Sequence, residues 1–577
     1  MRASVELPTP ENVMRTIALT GARAAAYAER RRWWILGACV IGQWLFVGRE
    51  ALFGSAHNGW IYQSGDDGPW YWTSAWTLSS LHVPTTAVGL GWPYLLTPLA
   101  AIFGPDMATG LPAVMLLNVL ILGPAAVVGM YLLGEQIAGR LFGLWTAALW
   151  VVLPGMALLL YRPETRPFVI DSFLPTATGL NALSDFPSMV CAIFGAYLLF
   201  RALDRNDILD GVLCGLVLGF LVLLKPANGP LVLAGACLLA IAFRFRALLG
   251  ASVAIVPALI ALTIWKRTGT GTIAILPPSG GGGGSNAPGA PAPAAPGRLE
   301  QLYHRAVDGF HHYVNFNWAH LGANIRDLQE VFWSLRLLEF LLIAGTIALV
   351  ARSRWKGVLV IAWFVGFAVI KATNVDASVK TTSVYRYLLP AWPAWVLLVA
   401  GVVLLWPTNP AARARWRSGD EDRARAVGPT PRALLVAAGL ILSVGPLALA
   451  VAASPINAGT VAQQNYTGSP VAIVDFHLAA RRIDANTVRL SWKPFRTSRA
   501  RYAYRIYKGP NDGCTIYGQG APVCLFSSPA LAETNRRVFD DPNAVSKVVY
   551  RVALVAGWST EQPSVLLLSE PLTVRAR

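Results

Sequence analysis

The sequence predicts an all-α polytopic membrane domain followed by an all-β sandwich, and three observations carry this. The 577 residues are 54% hydrophobic and 14% charged, with a mean hydropathy of +0.48, whereas soluble domains hold about 25% charged residues. Apolar runs of about 17 to 25 residues, the length that crosses about 30 Å of hydrocarbon as a helix, recur between residues 33 and 453. From residue 468 the apolar period changes to two, the period of a strand with one buried face.

Residues 1–32 are polar and basic, ending Glu29-Arg30-Arg31-Arg32, and are assigned to the cytoplasm. The first span is 33–47. No small-residue cleavage site follows it, so it reads as a retained span and not a signal peptide. Further runs lie near 110–133, 140–160, 183–203, 208–224, 228–243, 247–265, 336–351, 357–372, 386–406 and 432–453, which makes about eleven crossings. Residues 83–103 read as a re-entrant or interfacial segment.

Charge fixes the expected orientation. The net charge is +17, but the basic residues sit in short clusters between apolar runs, as lipid-facing topology requires and nucleic-acid binding does not. With the N-terminus inside, the inner loops hold Arg140; Arg201 and Arg205; Arg244 and Arg246; Arg352, Arg354 and Lys356; and the run Arg413 to Arg432. An odd number of crossings puts the C-terminal domain outside the membrane.

The transmembrane domain is therefore 33–453, a linker covers 454–467, and the outer domain is 468–577. Within the membrane domain, Pro277-Pro278-Ser279, five glycines and Ala/Pro repeats to Gly297 form a flexible loop over 277–297. Residues 298–335 read as an amphipathic interfacial helix carrying Tyr303, His304, Phe310, His311, His312, Tyr313 and Trp318. In the tail, Val488, Leu490 and Trp492 alternate with polar residues, as do Tyr502, Tyr504 and Ile506, and Val548, Tyr550, Val552 and Leu554. Cys39, Cys191, Cys214 and Cys237 lie in spans as packing residues. Cys514 and Cys524, ten residues apart in the outer domain, pair in an oxidising compartment.

Three constellations can carry chemistry, all on the expected outer face. Gly65-Asp66-Asp67-Gly68-Pro69-Trp70-Tyr71-Trp72 follows the first span. Adjacent carboxylates repel, so one is raised in pKa or the pair shares a cation; the plainer reading is a solvated acidic turn before an aromatic belt. Leu183-Ser184-Asp185-Phe186-Pro187 opens a span, where Ser184 or Asp185 also suits a helix N-cap. Tyr385-Arg386-Tyr387-Leu388-Leu389-Pro390 opens another. Arg386, like Lys225 in Leu224-Lys225-Pro226, also suits simple snorkelling to the headgroups.

Taken in order, the acid pair, Ser-Asp-Phe-Pro, Lys-Pro and Arg-Tyr-Leu-Leu-Pro resemble the membrane-embedded GT-C glycosyltransferases over roughly residues 33–410. These include protein mannosyltransferases, aminoarabinose transferases and arabinosyltransferases. The resemblance implies a polyprenyl-phosphate sugar donor, inversion, and a first-loop Asp as general base. Asp67 stands where many relatives have Glu, which leaves the base open between Asp66 and Asp67. Arg386 with Tyr387, and Lys225, are implied at the donor phosphate, with Asp185 in support. The stretches Leu490-Ser491-Trp492-Lys493-Pro494, Tyr504-Arg505-Ile506-Tyr507 and Tyr550-Arg551-Val552 resemble strands of fibronectin type III domains.

Transfer from a lipid-linked sugar needs a carboxylate to deprotonate the acceptor hydroxyl and positive charge for the departing phosphate. The residues supply both, and the sequence assigns no definite cofactor. A divalent metal could sit among Asp66, Asp67 and Asp185; His311 and His312 point about 100° apart on a helix, so both do not ligate one ion. The expected partners are the polyprenyl-phosphate donor, a glycan, lipid or protein acceptor, and membrane lipid, with no nucleic acid. A transporter or lipid flippase, a polysaccharide polymerase or ligase, and a wall-binding scaffold are the competing readings. No internal repeat favours the transporter. Two long interfacial helices in the first outer loop, with a cavity above the membrane lined by Asp66 and Arg386, would favour the transferase.

Overall fold

In a computed structural model of the protein, the described residues are 26–53, 67–84, 88–270, 317–331, 335–373, 377–380, 383–405, 429–455, 461–464, 470–495, 502–509, 514–517, 521–524, 530–544, 546–556 and 564–575. Among the described residues, the chain is mainly helical to residue 452 and β-rich beyond it.

The helices are α1 (Arg32–Phe53), α2 (Asp67–Ser79), α3 (Gly91–Phe103), α4 (Met107–Leu116), α5 (Gly123–Ala138), α6 (Arg140–Leu160), α7 (Arg166–Ser172), α8 (Leu174–Thr178), α9 (Asp185–Arg205), α10 (Ile208–Leu224), α11 (Gly229–Ile241), α12 (Phe245–Thr270), α13 (Trp318–Val331), α14 (Leu335–Arg352), α15 (Arg354–Ala372), α16 (Ser383–Leu388), α17 (Trp392–Gly401) and α18 (Pro429–Ala452). Each apolar run singled out in the sequence falls mainly on helix in its described residues. Among the described residues, five stretches are long and apolar enough to cross a membrane: Thr109–Ala138, Asp185–Arg205, Phe245–Gly269, Arg354–Ala372 and Ser383–Leu405. Shorter apolar helices include Arg140–Met156, Ile208–Leu224 and Pro226–Ile241.

The turns between helices are tight and chemically marked. Gly139, at φ 88°, joins α5 to α6, and Asn206, at φ 50°, ends α9. Both are left-handed positions that glycine and asparagine accept at low cost. Helix α10 lies flush on α12. A Cβ at Gly211 or Gly215 would come within 2.2 Å of the Ala247 or Ala251 carbonyl oxygen, the close backbone approach that small residues four apart permit between apolar helices.

The segment that follows α1 carries helix in its described residues. It holds α2 and α3, 13 residues each, or about 20 Å of helix, too short to cross about 30 Å of hydrocarbon. Helix α3 therefore fits the re-entrant or interfacial reading of 83–103. The predicted aromatic belt at Trp70-Tyr71-Trp72 is corrected. Tyr71 is 3% exposed and Trp72 is fully buried, with the Trp72 indole N–H donating to the Gly104 carbonyl at 3.1 Å. A 13-residue helix packed on α3 turns these rings into core. Of the expected interfacial helix 298–335, α13 lies within the described residues; Tyr303, His304, Phe310, His311, His312, Tyr313 and the loop 277–297 lie outside them.

The β-rich region has two main sheets. The larger runs β10 (Ala532–Thr534), β7 (Tyr502–Gly509), β12 (Val548–Ala556), β13 (Ser564–Ser569), β4 (Pro470–Val474), β3 (Val461–Gln464), β9 (Ala521–Cys524) and β8 (Cys514–Tyr517), with β14 (Leu572–Val574) on β12. The smaller runs β11 (Val538–Asp541), β6 (Val488–Ser491) and β5 (Ala479–Arg482). Val488 and Leu490 of one, and Tyr504, Ile506, Tyr550, Val552 and Leu554 of the other, fall in one buried cluster. The same cluster contains Tyr71, Trp72, Trp92 and Met107, so the β-rich region is packed onto α2, α3 and α4. A short parallel pairing of β1 (His82–Val83) with β2 (Ser454–Pro455) ties them again. The linker 454–467 thus carries strand, where the sequence suggested only a connection. Cys514 and Cys524 face each other in antiparallel register; their side chains lie outside the described set, and Cys39, Cys191, Cys214 and Cys237 are free thiols.

Candidate functional site

Four separate elements deliver the charged residues. Asp67 is the first residue of α2, where a carboxylate suits the positive end of the helix. Asp185 is the first residue of α9. Lys225 stands at the end of α10, extended at φ −156° and ψ 112° because Pro226 follows it. Arg386 lies on α16, which gives way to a 3₁₀ turn at Leu389-Pro390-Ala391.

These residues meet. The Arg386 guanidinium donates from Nε to Asp185 Oδ2 at 2.8 Å and from Nη2 to Asp67 Oδ2. The Lys225 ammonium donates to Asp185 Oδ1 at 2.6 Å. The Lys225 Nζ also stands 5.6 Å from the Tyr387 ring centroid, within cation–π range. Two cations therefore neutralise two carboxylates, and Asp185 sits at the centre with no solvent exposure. A carboxylate this dry is tolerated only because both its oxygens are paired.

The simpler readings of these residues fail. Ser184 precedes α9, yet its side chain makes no cap hydrogen bond; its hydroxyl is 2.6 Å from the Tyr71 hydroxyl. Burial first, and then the charges of Asp67 and Asp185, hold the Tyr71 phenol far above its usual pKa, so it stays a neutral hydroxyl beside the acids. The side chains of Arg386 and Lys225 keep 24% and 18% of their exposure and are held by carboxylates. Asp66 lies outside the described residues. The described residues contain no group of three metal-ligating side chains. Both oxygens of Asp185 and one of Asp67 already accept from cations.

The loop entering α9 is built by residues that the sequence did not flag. Six residues of π-helix, Leu117–Leu122, interrupt the run from α4 to α5 and place Asn118 inside the bundle, fully buried. Its amide donates to the Gly179 carbonyl at 3.0 Å and the Asn181 carbonyl at 3.2 Å. Gly179 is left-handed at φ 78°, and a Cβ there would come within 2.8 Å of Asn118. Asn181 binds Thr176 Oγ1 at 2.9 Å and receives the Leu183 N–H at 3.1 Å; the Trp92 indole donates to the Ala182 carbonyl at 2.8 Å. On the other side, Asn324 of α13 donates to the carbonyls of Ala372 and Ala377, each at 2.9 Å. His320 Nε2 lies 2.6 Å from the Ala377 carbonyl oxygen. Helix α13 thereby clamps the segment that leads into α16 and Arg386. A π-helical interruption is a recognised mark of functional sites, but it leaves no trace in an apolar run such as Leu116-Leu117-Asn118-Val119-Leu120 beyond one buried amide.

A second polar layer lies at the far end of α9. Arg201 pairs with Asp210 at 2.5 Å, Arg205 with the same acid at 3.6 Å, and Lys356 with Asp204 at 2.7 Å. Sixteen residues separate Asp185 from Arg201, about 24 Å of helix. The two charged layers thus stand nearly a hydrocarbon thickness apart, with apolar side chains between them.

No family model matches the chain, and no curated protein matches it. Among solved structures, it is similar to the archaeal oligosaccharyltransferase AglB from Archaeoglobus fulgidus in complex with an inhibitory peptide and a dolichol-phosphate. The TM-score is 0.38 at 14% identity, over 74% of this chain and 57% of that chain. The apo form of the Archaeoglobus fulgidus enzyme gives 0.36 at 14% identity, with the same 74% and 57%. Its complex with zinc and sulfate gives 0.32 at 12% identity, over 73% and 54%. The chain spans little more than half the length of these proteins. Likenesses this remote carry no functional argument.

Proposed function

We propose that the protein is a membrane glycosyltransferase that moves a sugar from a polyprenyl-phosphate donor to a cell-envelope acceptor at the outer face of the membrane. One observation carries the reading: Asp67, Asp185, Lys225 and Arg386, from four elements as far apart as 319 residues, converge where apolar helices begin and end. Carboxylates and cations gathered at such a rim are what acid–base transfer from a lipid phosphate requires.

In this reading the acceptor hydroxyl loses its proton to Asp66 as its oxygen attacks the anomeric carbon. The bond from that carbon to the phosphate oxygen breaks, the phosphate leaves with the electron pair, and configuration inverts. Asp67 orients the site, Arg386 and Lys225 neutralise the departing phosphate, Tyr387 lines the cation, and Asp185 holds both cations in place. The chain crosses the membrane about eleven times, with its N-terminus inside and the β-rich region outside. That region is a fibronectin type III-like sandwich, closed by a Cys514–Cys524 disulfide, that binds or positions acceptor.

The test is transfer of labelled sugar from synthetic polyprenyl-phosphate sugars by the purified protein in detergent. Wild type is expected to turn over, and Asp66→Asn to lose about 10²-fold or more while still folding. A wild-type protein that transports the lipid and transfers nothing would replace the transferase reading with a flippase.

A further inference from the structure

The charge balance of the site poses a problem for any anionic ligand. Lys225 and Arg386 are both already engaged by carboxylates. A phosphate that takes the outer edge of Arg386 therefore meets a carboxylate already bound there.

The two halves of the network differ in what can be displaced. Asp185 has no exposure and accepts on both oxygens, from Lys225 Nζ and from Arg386 Nε. Moving it would strand a dry charge. Asp67 keeps 39% of its side-chain exposure and holds Arg386 through Nη2 alone among the described contacts. It stands at the first residue of its helix, so its side chain can leave without unwinding a turn. A partly exposed ion pair of this kind is weak, and water can take the carboxylate.

We infer that the outer edge of the Arg386 guanidinium is a single seat that Asp67 and a phosphate ester occupy in turn. The edge formed by Nη1 and Nη2 suits phosphate oxygens as it suits a carboxylate. Asp185 keeps its grip on Nε, so the fork stays aimed while its outer partner changes. The exchange makes and breaks no covalent bond. Its consequence is order: the Asp67 carboxylate is released beside the reacting centre only when phosphate has arrived, and it is neutralised by Arg386 otherwise. The inference rests on the reading of the site as a lipid-phosphate site, but it does not require sugar transfer.

The experiment titrates the full-length protein in detergent with inorganic phosphate, with a short isoprenyl phosphate and with the parent isoprenol, by calorimetry. Asp67→Asn, which keeps a side chain favoured at helix starts, is expected to bind isoprenyl phosphate roughly 1.5- to 5-fold tighter than wild type, because a competitor is gone. In an Arg386→Gln background the same change is expected to do nothing, since the seat itself is absent. An equal gain in that background would mean general charge removal and would overturn the inference. Weaker binding by Asp67→Asn, or isoprenol binding as tightly as its phosphate, would overturn it too. Coupling seen with both phosphates assigns the seat to the phosphate group alone; coupling seen only with isoprenyl phosphate assigns it to a lipid phosphate. Exchange without any sugar transfer would sink the transferase reading and keep this one, and transfer without coupling would do the reverse.

Discussion

Replacing Asp185 by Asn tests the centre of the site without changing its shape. The carboxylate is fully buried and accepts from Lys225 at 2.6 Å and from Arg386 at 2.8 Å. The amide is isosteric but neutral, and it turns a donor toward one of the two cations. Removing one partner of a buried ion pair costs about 3 to 5 kcal/mol, because the other charge stays dry and unpaired. Here Lys225 and Arg386 keep 18% and 24% of their exposure, and Asp67 still holds Arg386, so the low end, about 3 kcal/mol, is expected. The assay is unfolding of the purified protein in detergent, followed by tryptophan fluorescence, for Asp185→Asn, Lys225→Met and the double variant. Asp185→Asn is expected to be the least stable. Adding Lys225→Met should recover a good part of the loss, since it removes the stranded cation; such neighbours are not additive. If Asp185→Asn matches wild type, or the second change deepens the loss by its own full cost, then Asp185 does not hold the two cations.

Three further outcomes are expected from the same geometry. Asn118→Leu leaves the Gly179 and Asn181 carbonyls without their donor and is expected to cost about 1 to 3 kcal/mol, with faster hydrogen exchange confined to residues 179–184; unchanged exchange there would remove Asn118 as the support of the Asp185 loop. In the β-rich region, burial alone would raise the pKa of Asp541, but hydrogen bonds from Lys508 and Tyr550 bring it below the usual carboxylate value. Its folded pKa is thus depressed, so it adds stability above the unfolded value of about 3.9 that is lost as pH falls through the folded value. Asp541→Asn should flatten this acid limb, and an identical acid limb in the variant would contradict the assignment. Of the six cysteines in the chain, Cys39, Cys191, Cys214 and Cys237 are free; thiol counting on denatured, unreduced protein should find only these, and a full count of thiols would exclude the Cys514–Cys524 bridge.

Much of this was legible in the sequence because lipid imposes simple rules. Apolar length marks helices, and each run chosen on that ground is mainly helical in its described residues. The shift to period two marked β6, β7 and β12, since alternation is the only way a strand buries one face. The charged residues of the site were legible for other reasons: Asp185, Lys225 and Arg386 stand where apolar runs begin or end, where an unpaired charge is costly, and Asp67 is one of two adjacent acids in the polar stretch after the first span. Their pairing was not legible, because it joins residues 40 to 319 positions apart. Nor were the neutral supports. Asn118 and Asn324 act through backbone groups of distant segments and Asn181 through Thr176 and the Leu183 N–H close by, and a buried amide carries no charge to betray it. Tyr71 and Trp72 were misplaced at an interface because aromatic clusters beside a span suit a belt and a core equally; only the packing of α2 on α3 and on the β-rich region decides between them.

Whether the converged charges transfer sugar from a polyprenyl phosphate is tested most directly by single-turnover kinetics. The reaction is transfer of labelled sugar from synthetic polyprenyl phosphate to acceptor by purified wild type, Asp66→Asn and Asp67→Asn in detergent. Wild type is expected to transfer with inversion at the anomeric carbon, and Asp66→Asn to lose about 10²-fold or more. Near-normal transfer by both Asp66→Asn and Asp67→Asn would take the base out of this loop and contradict the proposed mechanism.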